Sequence, residues 1–340
     1  MSSRDAPPKA VIFGCAGPQL SAAERNFFRA VDPAGFILFQ RNCVDPAQVA
    51  ALVADLKAAS GRPDTPVLID QEGGRVQRLK PPHWRAAPAG NQFARLAPEM
   101  GLRAAWINAR LIAADLASLG ITVNCTPVLD LPAPGSHQII GDRALGTDPA
   151  RVAALGRAIM QGLAAGGVLP VIKHLPGHGR ALVDSHEHCP VVDASDADLT
   201  RDIEPFIALS DAPFAMTAHV VFPCWDRSRS ATLSPRVIAD IIRTRIGFAG
   251  ILITDDVSMK ALGGGLAERA VQALTAGCDL ALHCNGDPDE MAGIAEAVGP
   301  MSEDGHARLA HALARRDTPE PMDAAALLGE LEALMAGDTA

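Results

Sequence analysis

Tyrosine is absent from this chain of 340 residues, and the other aromatics are few: three Trp and ten Phe. A large core must therefore be built mostly from Ala, Val, Leu and Ile, which the 48% apolar content permits. No run of Lys and Arg occurs and the net charge is −9, so the electrostatic footprint of a nucleic-acid binder is missing. No apolar run reaches the ~20 residues needed to span a bilayer, so no membrane partner is expected. No Cys-x-x-Cys pair occurs. The seven cysteines, at 15, 43, 125, 189, 224, 278 and 284, are scattered and odd in number. That favours buried free thiols in a reducing compartment over a disulfide framework. The opening MSSRDAPPKAVIFG lacks the basic start, long apolar stretch and small-residue cleavage site of an export leader. A cytoplasmic location is the expectation.

What is present is a repeated alternation. Short apolar runs at 10–15, 35–39, 66–70, 121–130, 168–174, 213–222, 250–256 and 278–285 are separated by Ala-rich stretches with helical spacing. The runs are almost continuously apolar, as strands buried on both faces are. Alternating strand and helix implies a parallel sheet, and eight units imply closure. The expected fold is α/β: a single (β/α)8 barrel over about 8–300, with two C-terminal helices over about 302–338, split near Thr318–Pro321, packed on it. A doubly wound sheet is the alternative. Polar residues gather at the C-terminal ends of the runs: Asp70, Asp130, Lys173, His174, His219, Asp255, Asp256 and Asn285. Barrels of this kind build their sites at that end, from several strands.

Three stretches carry chemistry. KHLPGHGRALVDSHEHCP, from Lys173 to Pro190, holds four histidines. His174 and His178 have the four-residue spacing of two ligands on a helix, but Pro176 and Gly177 between them oppose a helix. His186 and His188 would share a face of an extended segment and could hold zinc. Alternatively, Asp184 lies two residues before His186, so the carboxylate can orient the imidazole and raise its pKa for proton transfer. The Gly-rich segment reads as a mobile loop, and an ordinary surface hydrogen bond is the plainest reading of the pair. In ITDDVSM, Asp255 ends an apolar strand, where a carboxylate can attack or stabilise an electrophilic carbon or cap the next helix; Asp256 is assigned support. In DQEGGRVQRL, Gly73–Gly74 turn the chain after Asp70, and Arg75 and Arg78 follow. Asp70 could bind hydroxyls and Arg78 an acyl oxygen, or the segment could be a structural turn with an ion pair.

Together GFILFQRN, LIDQEGGRVQRL, NCTPVLDL, GDRALG, KHLPGHG, DSHEHCPVV, MTAHVVFP, ITDDVSMKAL and AGCDLALHCN resemble glycoside hydrolase family 3, and within it the β-N-acetylhexosaminidases. The resemblance spans roughly 8–300. KHLPGHG followed by DSH is its most specific part, because the family's β-glucosidases commonly lack the His loop. It implies a (β/α)8 barrel and a retaining exo-β-N-acetylglucosaminidase acting on peptidoglycan fragments. Asp255 would be the nucleophile, His186 the general acid/base and Asp184 its partner. Asp70, Arg78, Arg143, Lys173 and His174 would bind the terminal GlcNAc. No metal or other cofactor is implied; the partner is a small GlcNAc-containing muropeptide, and a monomer is expected. Leu175 and Leu145 stand where the group often has an aromatic, but no departure removes a reacting group.

Overall fold

The computed structural model describes residues 6–185 and 188–337. Eight parallel strands close into a barrel: β1 (Lys9–Phe13), β2 (Pro33–Leu38), β3 (Val67–Ile69), β4 (Val123–Asn124), β5 (Leu169–Leu175), β6 (Phe214–Thr217), β7 (Ile251–Asp256) and β8 (Leu280–His283). Each strand pairs with the next in the chain, and the ring closes with Val11 of β1 opposite Ala281 of β8. Every residue of β2, β5, β6 and β8 is buried. Each fully buried Val, Leu or Ile contributes about 1.5–3 kcal/mol, so an aliphatic core suffices. Four of the ten Phe, Phe13, Phe27, Phe28 and Phe36, pack in series, and Phe28 and Phe36 meet edge to face with ring centroids 5.0 Å apart.

The helices lie outside the ring: α1 (Ala22–Val31), α2 (Pro46–Ser60), α3 (Pro98–Ser118), α4 (Pro149–Ala165), α5 (Asp196–Ala208), α6 (Leu266–Ala276) and α7 (Pro288–Ala297). Their starts are written in the sequence. Ser21 and Glu24 form a reciprocal capping box on α1. Asp45–Pro46, Asp148–Pro149 and Asp287–Pro288 open α2, α4 and α7 with one device. The Asp side chain accepts an otherwise unpaired N–H, and the Pro occupies the first turn, where no N–H is needed. Val237–Arg245, between β6 and β7, is wound as a π-helix; the spacing gave an ordinary helix from about Ser234. The chain ends in α8 (Glu303–Ala314) and α9 (Ala324–Ala336), and Arg103 of α3 binds Glu330 of α9 through both of its oxygens.

Two apolar runs are shorter as strands than they look. Of 121–130, Val123–Asn124 is regular strand, and Val128 makes a single bridge to Lys173. Of 213–222, Phe214–Thr217 enters the barrel, while Val221–Phe222 leaves it to form a hairpin with Asp226–Ser230. All seven cysteines are free; five are buried, but Cys189 and Cys224 are exposed, against the expectation of burial. Among the described residues no helix is long and apolar enough to cross a membrane.

Candidate active site

At the C-terminal end of the barrel lies a cavity of about 260 Å³, bordered by Asp70, Arg78, Arg143, Lys173, His174, His178, Ser185, Asp255 and Asp256. The volume is near the low end for small-ligand pockets.

The Asp70 side of the pocket is shaped by a small hairpin after β3, Gln71–Gly73 against Val76–Gln77. Gly73 and Gly74 turn it with φ of 105° and 57°, a region that glycine occupies at little cost. A Cβ at Gly73 would also lie 2.2 Å from the Pro88 carbonyl oxygen. Asn124 of β4 clamps the hairpin to the barrel, accepting the Gln71 N–H and donating to the Gln71 carbonyl, both at 3.0 Å. The Gln71 side chain accepts the N–H groups of Arg78 and Leu79 at 2.9 and 3.0 Å. Arg75 donates to Asp142 at 2.7 Å and to the carbonyls of Gln138, Ile139 and Ile140. It thus ties the hairpin to the loop that carries Arg143.

Five charges then alternate. Arg78 Nη2 lies 3.0 Å from Asp70 Oδ2, and Asp70 Oδ1 lies 2.8 Å from Lys173 Nζ. Lys173 Nζ is 2.7 Å from Glu72 Oε1. Glu72 grips Arg143 through both oxygens, at 2.8 Å to Nη2 and 2.9 Å to Nε. Burial pushes the Asp70 carboxyl up, but Lys173 and Arg78 more than offset it and hold it well below the usual carboxylate range. Burial would discharge Lys173, yet Asp70 and Glu72 hold its pKa above the ordinary value. Glu72 is lowered in the same way: burial opposes, and Arg143 and Lys173 prevail. Arg78 also lies over the Phe39 ring, 4.9 Å from its centroid.

A second buried carboxylate organises β5 and the turn after it. Asp130 Oδ2 is 2.6 Å from His174 Nδ1, and Asp130 Oδ1 accepts the His178 N–H at 2.6 Å. The His174 and His178 rings meet edge to face at 5.8 Å. His178 Nε2 lies 3.0 Å from Ser185 Oγ, and burial pushes its imidazole down to about 4, so it is neutral at pH 7. Gly179 is required here, because a Cβ would lie 2.0 Å from the Leu131 carbonyl oxygen. The Lys173–His174 and Leu175–Pro176 peptide bonds are cis.

Asp255 stands at the end of β7 and borders the cavity. Burial raises its pKa, but His174, His219, the Asp256 N–H and Lys173 together leave it lowered, so the group is a carboxylate at neutral pH. Neither aspartate caps the next helix, which starts ten residues after Asp256, behind Gly265. Asp256 instead accepts from Ser258 N and Oγ and from Cys284 N. His219 Nε2 reaches the Asp256 carbonyl at 3.0 Å and its Nδ1 reaches Thr232 Oγ1 at 2.7 Å.

The structure therefore brings Asp70, Arg78, Arg143, Lys173, His174 and Asp255 to one cavity. Asp184 lies in the loop, where its carbonyl accepts the His188 N–H at 3.0 Å. His186 lies outside the described residues. Glu72 and Asp130 are the charged groups whose role the sequence reading missed. Both had signals: Glu72 sits two residues after Asp70, the spacing of one face of an extended segment, and Asp130 ends an apolar run. Among the described residues no group of three or more His, Cys, Asp or Glu side chains is placed to hold a metal ion.

Comparison with known proteins agrees with this layout. The family model described as the glycosyl hydrolase family 3 N terminal domain matches residues 11–315. The β-hexosaminidase of Bordetella avium is 39% identical over 287 residues, which is 82% of this chain and 81% of that protein. The structure of NagZ from Neisseria gonorrhoeae in complex with N-trifluoroacetyl-D-glucosamine superposes with a TM-score of 0.83 at 32% identity, covering 98% of this chain and 97% of that one. A family 3 β-N-acetylglucosaminidase from a Paenibacillus species superposes with a TM-score of 0.84 at 31% identity over 96% of this chain, which spans 66% of that longer one. With the family match running almost the length of the barrel, and with a strand-end carboxylate facing a pocket of paired charges, this chain is a glycoside hydrolase, a member of family 3.

Proposed function

We propose that the chain is a retaining exo-β-N-acetylglucosaminidase. It removes terminal β-linked GlcNAc from peptidoglycan fragments, GlcNAc-1,6-anhydro-MurNAc and its peptides, in cell-wall recycling. It acts as a cytoplasmic monomer without a cofactor. The observation that carries the reading is the placement of Asp255, ionised at the end of β7, on one cavity with Asp70 and with Lys173 and Arg143, the two cations that Glu72 pairs.

In this reading Asp255 attacks the anomeric carbon and forms a covalent glycosyl-enzyme, while His186, oriented by Asp184, protonates the leaving oxygen. His186 then deprotonates the water that hydrolyses the ester. Retaining glycosidases generally use a second carboxyl as the acid, and the pocket supports a histidine in its place. Asp70 cannot donate a proton, because two cations keep it ionised. Asp256 is committed as an acceptor to three hydrogen bonds. His178 is neutral, and His174 is bonded to Asp130. Ser185, the residue before His186 in the chain, lines the pocket, which supports delivery of a proton from that segment. Asp70, Arg78, Arg143, Lys173 and His174 bind the hydroxyl and acyl groups of the sugar.

The test is hydrolysis of matched aryl β-GlcNAc and aryl β-glucose substrates, with and without chelator. Strong, chelator-resistant preference for β-GlcNAc is expected. Activity on glucose alone would move the chain to another branch of the family, and loss with chelator would restore the metal reading of the histidines. His186→Ala should slow poor leaving groups far more than good ones; equal losses would remove His186 from the acid role.

A further inference from the structure

The two carboxylates of the charge network differ in placement. Asp70 borders the ligand cavity, whereas Glu72 does not. Glu72 instead lines a small void of about 20 Å³ together with Asn108, Asn124 and Arg143. It touches two residues that do border the ligand cavity, Lys173 and Arg143. We infer that Glu72 is a positioning residue: its carboxylate holds Arg143 and Lys173 in place for the sugar without touching the sugar itself. This rests on the reading of the cavity as a glycosidase site.

The geometry gives Glu72 two tasks. Its fork-to-fork pairing uses Arg143 Nε and Nη2. That fixes the guanidinium plane more tightly than a single contact could. Arg143 Nη1 reaches the Ile139 carbonyl at 3.2 Å. Lys173 has three N–H donors. Its ammonium lies 2.8 Å from Asp70 and 2.7 Å from Glu72, which leaves one donor for a ligand hydroxyl. Without the Glu72 charge, Lys173 and Arg143 would stand close together with one carboxylate between three cations. Both would be drawn out of place, and the buried ammonium would lose its proton more readily. The charged and titratable groups that act on Lys173 are Asp70 at the end of β3, Glu72 in the hairpin, Arg143 in the loop after β4, Cys125 after β4 and Asp255 on β7.

The experiment compares the wild type with Glu72→Gln, which keeps the shape and removes the charge. Aryl β-GlcNAc hydrolysis is followed for kcat and KM separately, together with thermal unfolding. A folded Glu72→Gln protein is expected to lose about 10²-fold in kcat/KM, as a small misplacement of binding groups can produce. Most of that loss should fall on KM, because the misplaced groups bind the sugar and do not react with it. A merely structural residue would lower the folded fraction and leave KM in place; an unmoved KM therefore overturns the inference. If Glu72→Gln does not fold, Glu72→Asp is read in the same way, and failure of both to fold assigns Glu72 to folding and overturns it. A wild type inactive on aryl β-GlcNAc would instead defeat the parent reading. An active wild type with an indistinguishable Glu72→Gln variant would defeat this inference alone.

Discussion

Two ion clusters sit at opposite ends of the same barrel. At the C-terminal end, Asp70 and Glu72 each bind two cations. At the N-terminal end, just before β8, Asp279 also binds two: Arg243 at 2.8 Å and Arg308 of α8 at 2.6 Å. All three are carboxylates flanked by two cations, so pairing alone does not mark a site. The difference lies in what else converges. Asp279 also accepts the Leu252 N–H of β7 at 2.8 Å, so its oxygens tie a strand, the π-wound segment and α8 together. The depression beside it offers a ligand no second charged group. At the other end Asp70, Arg78, Lys173 and Arg143 share one cavity with a strand-end carboxylate, Asp255, that forms no ion pair among the described residues. Perturbed groups point to function when they converge on a cleft.

The contrast can be broken from either side. Asp255→Ala should lower kcat by a factor on the order of 10⁴ or more and leave stability near that of the wild type; a loss of tenfold or less would remove Asp255 from the chemistry. Asp279→Ala should do the reverse. It strands two guanidinium groups and should cost roughly 3 kcal/mol, the low end for a broken buried pair because both arginines keep some solvent contact. Urea unfolding reads that loss, and kcat/KM per folded molecule should be unchanged.

Smaller effects sharpen the picture at the C-terminal end. His178 is held near 4, below the ordinary 6.5, by burial. Between those values the unfolded chain binds the proton and the folded one does not. Stability should therefore rise with pH across this window and be lost as pH falls from 6.5 to 4. The full shift corresponds to roughly 3 kcal/mol. His178→Gln should flatten that slope in pH-dependent unfolding; an unchanged slope would mean that His178 is not the titrating group. Ser185→Ala removes the hydrogen bond between His178 and the loop, worth about 0.5–1.5 kcal/mol. It should lower kcat by a few-fold at most if the loop is held partly by this contact, and kinetics with poor leaving groups would show it first.

The barrel was legible because its signals are local. Apolar runs with polar C-terminal ends and Asp–Pro helix starts repeat along the chain, and Asp70, Lys173, His174 and Asp255 all sit at such ends. Arg143 was reached only through the resemblance, since its loop has no regular pattern and its partner Glu72 lies 71 residues away. Glu72 was missed because EGG reads as a turn, and a turn reading ignores which way residue 72 faces. The π winding of Val237–Arg245 was illegible because its apolar spacing also fits an ordinary helix. The exposure of Cys189 and Cys224 was misjudged because an apolar neighbourhood in sequence is not burial in space.

The central claim is that a covalent sugar ester forms on Asp255. The direct measurement is to trap that ester with a slow-turnover GlcNAc-type inactivator, digest the protein and locate the label by mass spectrometry. The account expects one sugar per chain, on the peptide containing Asp255, with loss of activity in step with labelling. A label on another residue, or full inactivation with no covalent adduct, would contradict it.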